Sequence, residues 1–372
     1  MKKKILFIIT YLELGGAQKQ LFYILQNIDR KKYSLYLYAG NRGYLKENFL
    51  NLSDINIKLD SCLCRSINPF LDLVSFFRML CFIKRNRFDI IHTHSPKASL
   101  LGRWAAYLCG INNIVYTVHG WPFHKFMPVF TYYFYFFLEK FTAMITKKII
   151  VPSKADLKIG LDKKISSSDK LSLIHYGVDV NNLDNIYRQR SNTDKFDLVL
   201  SIACLKAQKG ISYFLKAAKI LLLEEPTLNF AILGDGPLRK KVEKNIKDLK
   251  LENKVKLFGW RTDITPFLCR SSVFVLTSLW EGLPVALIEA VISGVPVVVT
   301  DTGGVRDIVE SNKQGVVIAL ANILDIRKGC QKILKNYEGW NRSIKDSRKN
   351  LNLKYWSLER MLQQVEDIYD KL

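Results

Sequence analysis

No stretch of about 18 apolar residues is free of charge. The longest apolar run, Phe126 to Leu138, ends well short of that, so no spanning helix is expected. The seven cysteines form no C-x-x-C pair and only Cys62 and Cys64 are close, which leaves no disulfide framework to read and favours a reduced compartment. The apolar start MKKKILFIITYLELGG has no small-residue cleavage site before it meets Glu13 and a glycine pair, so it reads as a first strand and not as a signal segment. Acids are outnumbered, 34 Asp+Glu against 56 Lys+Arg, and +15 of the net charge of +22 falls in residues 1–190. Such an excess attracts nucleic acid and anionic membrane alike. Aromatic and basic residues follow no groove-binding pattern, so nucleic acid is not expected as a partner.

What is present is globular: 372 residues, 48% hydrophobic and 24% charged, are enough for two buried cores. Residues 4–10 (KILFIIT) suit a strand buried on both faces of a parallel sheet. A glycine loop, Gly15-Gly16-Ala17-Gln18, follows, and then an amphipathic helix with Leu21, Ile24, Leu25 and Ile28 on one face. Strand-like runs recur at 34–39, 55–59, 89–94, 113–118, 148–151 and 171–174, with helical segments between them. That alternation predicts a doubly wound parallel α/β sheet, in which ligands bind beyond the C-terminal strand ends. Residues 178–197 are polar and without period, and a second alternation begins at 198–203 and continues at 228–233 and 254–258. The expected organisation is a first domain over 1–180, a linker over 181–197, a second domain over 198–352 and a terminal amphipathic helix over 353–372.

The most informative stretch is 278–309, SLWEGLPVALIEAVISGVPVVVTDTGGVRDIV. Gly282-Leu283-Pro284 reads as a loop ending in a proline at the first helical position, so Glu281 precedes the helix and Glu289 lies inside it. A helix N-terminus suits phosphate, and ionised carboxylates suit neighbouring hydroxyls. A diphosphate joined to polyols, as in a nucleotide sugar, meets both requirements. The strand 295–299 and the glycine pair Gly303-Gly304 offer further amides to phosphate. Other candidates also follow strands: Lys206 and Lys209 in CLKAQKG, His92 and His94 in DIIHTHSPK, and His119 in YTVHG. The H-x-H pair places both rings on one face, but no third ligand is near and no metal is expected.

The Glu281 to Glu289 spacing followed by TDTGGVRDIV resembles the signature of the family 4 retaining glycosyltransferases, with support from His119, the first glycine pair and the GDGP turn at 234–237. The resemblance implies the GT-B architecture, two Rossmann-like domains facing a cleft, with the last helix crossing back to the first domain. It implies metal-independent transfer of a sugar from a UDP- or GDP-linked donor with retention, no cofactor, and no D-x-D, which this chain lacks. It assigns donor-sugar hydroxyls to Glu281, beside Gly282, Leu283 and Pro284, and ribose hydroxyls to Glu289. Diphosphate goes to Lys209, helped by Lys206 and by the amides of Gly16, Gly303 and Gly304, and His119 sits by the sugar. Trp260 or Arg261 borders the base. The family places Arg where this chain has Cys204, which puts full activity in question.

HTHSPKASLLGRWAA and YTVHGWPFH resemble bacterial enzymes building capsule, O-antigen or glycan units on polyprenyl-diphosphate lipids. The aromatic stretch 121–148 and the basic-apolar stretch 76–88 read either as core helices or as interfacial ones. Together they predict a peripheral enzyme at the anionic inner face of the cytoplasmic membrane. Rival readings are a nucleotide-sugar epimerase or phosphorylase on the same fold, and a nucleotide-sugar-binding protein without turnover.

Overall fold

The computed structural model describes residues 2–190, 197–349 and 352–372. The chain divides into two compact units, Met1–Gly177 with Glu359–Leu372, and Val178–Leu358.

The first unit begins β1 (Lys3–Ile9), α1 (Gly16–Asn27), β2 (Tyr33–Gly40), α2 (Lys46–Leu50), β3 (Ile55–Asp60) and α3 (Pro69–Asn86). It continues β4 (Ile90–His94), α4 (Pro96–Leu108), β5 (Ile114–Thr117), α5 (Val129–Met144), β6 (Lys148–Val151), α6 (Lys154–Asp162) and β7 (Leu171–Leu173). The seven strands form one parallel sheet in the order β3-β2-β1-β4-β5-β6-β7. Ile5 to Ile9 of β1 are fully buried, as a strand covered by helices on both faces requires. Right-handed crossovers place α3, α4, α5 and α6 on one face of this sheet. Leu6, Ile8 and Ile91 pack there against Met79, Ile83 and Ala105.

The second unit contains α7 (Val180–Arg190), β8 (Leu198–Ile202), α8 (Ile211–Glu224), β9 (Asn229–Leu233), α9 (Arg239–Asp248), β10 (Val255–Gly259), α10 (Thr265–Cys269) and β11 (Ser271–Leu276). Then follow α11 (Val285–Ile292), β12 (Val297–Thr300), α12 (Val305–Ile308), β13 (Gly315–Ile318), α13 (Ile323–Lys335) and α14 (Tyr337–Lys349). Its parallel sheet runs β10-β9-β8-β11-β12-β13. The core gathers Val199, Phe214, Phe230, Val273, Val298 and Ile333. The final helix, α15 (Leu358–Asp370), returns the chain to the first unit. It buries Met361, Val365, Ile368 and Tyr369 there, each side chain contributing about 1.5–3 kcal/mol.

One segment differs from its expectation. The polar stretch read as a linker over 181–197 is helical in α7 and belongs to the second unit, while 191–196 lie outside the described residues. The physical reason is a sparse stripe, Leu183, Ile186 and Arg190, spaced three and four apart and buried. Arg190 completes the docking by donating to the Cys269 carbonyl at 3.0 Å and to the Tyr337 hydroxyl at 3.2 Å.

Candidate active site

In the second unit the strand order reverses between β8 and β11, the position at which open parallel sheets bind ligands. The loops leaving these two strands meet. Lys209 closes a 3-10 turn after β8, and its Nζ lies 2.5 Å from Oε1 of Glu281, in the loop after β11. The pair is largely withdrawn from solvent, with Lys209 18% and Glu281 7% exposed. The Ser278 hydroxyl donates to the same carboxylate oxygen at 2.6 Å.

Bonds from one backbone amide, the Gln208 side chain and a hydroxyl, all to backbone carbonyls, hold the two loops in register. Leu279 N–H donates to the Gln208 carbonyl at 2.7 Å, and the Gln208 amide returns to the Trp280 carbonyl at 2.8 Å. The Thr277 hydroxyl donates to the Lys209 carbonyl at 2.9 Å. This approach needs Gly210, whose φ is +58° and whose added Cβ would stand 2.3 Å from the Thr277 carbonyl oxygen. The GDGP turn has a conformational part in the same assembly: the Asp235 carbonyl accepts from Leu205 N–H at 2.8 Å, and the Leu205 carbonyl accepts from Leu238 N–H at 3.0 Å.

Helix α11 opens beside Glu281 with Pro284 as its N-cap, one position before the first helical residue, and no side chain caps this end. Glu289 lies on α11 and is buried, so the two acids belong to different local structures as expected. The amide of Gly304 donates to the Gly282 carbonyl at 2.6 Å and so closes the loop that carries Glu281. Gly303, at φ +53°, lets that loop close, since a Cβ there would stand 2.2 Å from the Glu281 carbonyl oxygen. Lys206 and Cys204 share one side of the chain. The β8 ladder ends at Ile202, yet burial continues to alternate, with Ala203 and Leu205 buried and Cys204 and Lys206 half-buried. Trp260 and Arg261 follow the edge strand β10, half-buried and exposed respectively.

In the first unit the order reverses between β1 and β4. Gly16 opens α1 after β1, again without a side-chain cap. Thr10 and Ser95, beyond the same two strands, bond hydroxyl to hydroxyl at 2.8 Å, and Ser95 has a strained φ of +63°. His92 and His94 do share a face, their ring centroids 4.3 Å apart. His92 bonds to the Tyr369 hydroxyl at 2.5 Å and to Thr117 Oγ1 at 2.7 Å. His119 uses both ring nitrogens, Nε2 with His94 Nδ1 at 3.0 Å and Nδ1 with the Tyr176 hydroxyl at 2.5 Å. Burial pushes His92 down to about 3, with the neighbouring His119 adding to it, and holds His94 well below the usual histidine range. Burial also lowers His119, so all three rings are neutral at pH 7. His94 Nε2 is buried with no hydrogen-bond partner. Among the described residues no group of three or more His, Cys, Asp or Glu is placed to hold a metal ion.

Ser278, Gln208, Tyr176 and Ser95 are the participants that sequence reasoning did not single out. Their only signal is position just beyond a strand end, which many loop residues share.

Comparison with known proteins bears on this arrangement. Residues 14–182 match the model described as Glycosyltransferase Family 4, and residues 184–350 that described as Glycosyl transferases group 1. The Escherichia coli protein named UDP-Gal:alpha-D-GlcNAc-diphosphoundecaprenol alpha-1,3-galactosyltransferase is 32% identical over 323 residues, covering 83% of this chain and 82% of its own length. The capsular polysaccharide biosynthesis glycosyltransferase CapM of Staphylococcus aureus is 23% identical over 82% of this chain and 83% of its own. HepE of Anabaena, crystallised with UDP and glucose, shares the fold over 100% of both chains with a TM-score of 0.80 at 18% identity. The chain belongs to family 4 of the glycosyltransferases and has their GT-B fold of two parallel-sheet Rossmann-like units.

Proposed function

We propose that this glycosyltransferase moves a hexose or N-acetylhexosamine from a UDP- or GDP-sugar to a lipid-linked saccharide in surface polysaccharide assembly, with retention and without a metal. The observation that carries the reading is the Lys209–Glu281 pair at the switch point of the second sheet, beside the N-terminus of α11. An ammonium and a helix N-terminus favour the diphosphate, and a carboxylate accepts hydrogen bonds from sugar hydroxyls. The name of the Escherichia coli relative, with UDP-galactose as donor and a diphosphoundecaprenol-linked acceptor, supports a UDP-hexose and a polyprenyl acceptor here.

In the transfer, an acceptor hydroxyl oxygen bonds to the anomeric carbon on the face that the diphosphate leaves. The bond from that carbon to the β-phosphate oxygen breaks, and the acceptor proton passes to the departing phosphate. Lys209, with Lys206, stabilises the negative charge that grows on the leaving group. Glu281 orients the sugar and Glu289 the ribose. Trp260 and Arg261 flank the base. An enzyme with such an acceptor works as a peripheral protein on the inner face of the cytoplasmic membrane, attracted to its anionic lipids.

The test is release of nucleotide from a panel of UDP- and GDP-sugars, with EDTA present. Slow hydrolysis of one donor that disappears in Glu281→Ala supports the reading; unaltered turnover in that variant refutes the role of Glu281. The anomeric configuration of the transferred sugar, read by NMR, decides retention. A pyridoxal absorbance would instead indicate a phosphorylase.

A further inference from the structure

Helix α5 is apolar all round, which is unusual for a surface helix. One side packs inward: Tyr132, Phe136 and Ala143 join the core formed with Ile149 and Val151. The other side is open. Phe130 is 84% exposed and Met144 70%, and Phe134, Phe137 and Phe141 between them are each more than half exposed. These five recur at steps of four, three, four and three, so they form a single stripe roughly 21 Å long.

The stripe is rigidly mounted. Arg103 of α4 grips Glu139 of α5 through two bonds, at 2.9 and 3.1 Å, both side chains buried. Trp104 of α4 stacks on Phe141 with ring centroids 5.3 Å apart, and the exposed Tyr107 and Leu108 extend the apolar surface onto α4. Glu139 is the only acid of α5, and it faces inward.

The surroundings are cationic. Residues 121–170 contain nine lysines and four acids, of which Glu139 and Asp156 are buried. Lys125, Lys140 and Lys163 lie over Phe126, Phe136 and Tyr132 at 5.4, 5.9 and 5.5 Å from the ring centroids. A second copy of this chain would bring the same lysines face to face, and like charge opposes that pairing. Among the described residues no helix is long and apolar enough to cross a membrane.

From this we infer that the α5 stripe is an interfacial anchor. It lies in the plane of an anionic bilayer, with its phenylalanines among the acyl chains and the surrounding lysines at the headgroups. The inference rests on the proposal that the enzyme works at a membrane, and it names the surface. It also distinguishes insertion from adsorption by charge alone, because the aromatic part of the binding resists salt.

The experiment is flotation of the full chain, without nucleotide, on vesicles of phosphatidylethanolamine and phosphatidylglycerol at a ratio of 3:1, or of phosphatidylcholine. Binding to the anionic vesicles is expected to fall several-fold from 50 to 500 mM NaCl and to keep a salt-resistant remainder. Phe134→Ser with Phe137→Ser should cut that remainder at least tenfold, while donor hydrolysis without lipid and the unfolding midpoint stay unchanged. Lys140→Gln with Lys147→Gln should lose the preference for phosphatidylglycerol and keep the remainder. Wild-type binding by the serine variant overturns the inference. So does a dimeric wild type that the serine changes convert to a monomer without altering vesicle binding. Loss of donor hydrolysis with intact vesicle binding would count against the catalytic reading alone.

Discussion

Removing Lys209 tests whether the pair at the switch point is as buried as its geometry implies. Lys209→Ala leaves the Glu281 carboxylate, 7% exposed, with the Ser278 hydroxyl as its remaining described donor. Stranding a buried charge costs about 3 kcal/mol. For a unit of this size that lowers Tm by about 6–12 °C. Glu281→Gln should cost less, about 1 kcal/mol, because an amide keeps the Ser278 bond and Lys209, 18% exposed, reaches water. The double variant Lys209→Met with Glu281→Gln removes both charges and should recover stability to within about 1 kcal/mol of wild type. Activity should not follow stability: each variant loses roughly a hundredfold or more in donor turnover, because the group facing the developing charge or the sugar hydroxyls is gone. Urea unfolding and nucleotide release measure the two effects separately. A Lys209→Ala protein as stable as wild type, or a double variant no more stable than that single one, would refute the account.

Gly303→Ala forces a Cβ against the Glu281 carbonyl oxygen at a positive φ and should cost about 2 kcal/mol or more, read as a lower urea midpoint together with lost donor binding. If Lys206 stands in for the arginine that Cys204 replaces, Lys206→Ala should lose at least tenfold in donor turnover. Cys204→Arg should then restore most of that loss; no rescue would dissociate the two positions. The buried histidines predict acid sensitivity. His92 titrates at about 3 when folded against about 6.5 when unfolded, so its contribution is complete above pH 6.5 and is lost as pH falls towards 3. The expected slope is about 1.4 kcal/mol per pH unit between pH 6 and 4. His92→Gln should flatten the dependence of the urea midpoint on pH by that amount, and an unchanged slope would place the titration elsewhere.

Strands made of unbroken aliphatic runs were legible because a parallel sheet buries both faces: KILFIIT and the valines of β12 have no other stable setting in a soluble core. Helix α7 was not legible, since its sparse stripe is set in a mostly polar sequence and is completed by a buried arginine. The sequence of 278–309 placed Glu281 before a helix and Glu289 inside one, because Gly282 and Pro284 act locally. It could not place Lys209 against Glu281, which requires the β8–β11 adjacency that only the sheet order creates. The bond from the Gly304 amide to the Gly282 carbonyl was hidden for the same reason. A glycine pair announces a tight approach, but whether the approach serves a ligand or the Gly282 carbonyl is a tertiary matter. His119 illustrates the same limit: its place after β5 was readable, its clamping between His94 and Tyr176 was not.

Two opposite charges stand beside each other in a loop cluster that largely buries them. A lone carboxylate or ammonium in that position would carry an uncompensated desolvation cost, which the pairing offsets. On the proposed reading the donor undoes the pair: its diphosphate competes for Lys209 while its sugar hydroxyls compete for Glu281. Neither group is then left without a partner, and a ligand that satisfies only one of them would strand the other. Free nucleoside diphosphate, or free hexose, should therefore gain less from Lys209 and Glu281 than the intact nucleotide sugar does. The discrimination arises because the hydrogen bonds between the two loops hold both residues in place. Selectivity for the joined ligand is in this sense a property of the β8 and β11 loops acting together, and substitution of either charged residue should erode it before it erodes the fold around it.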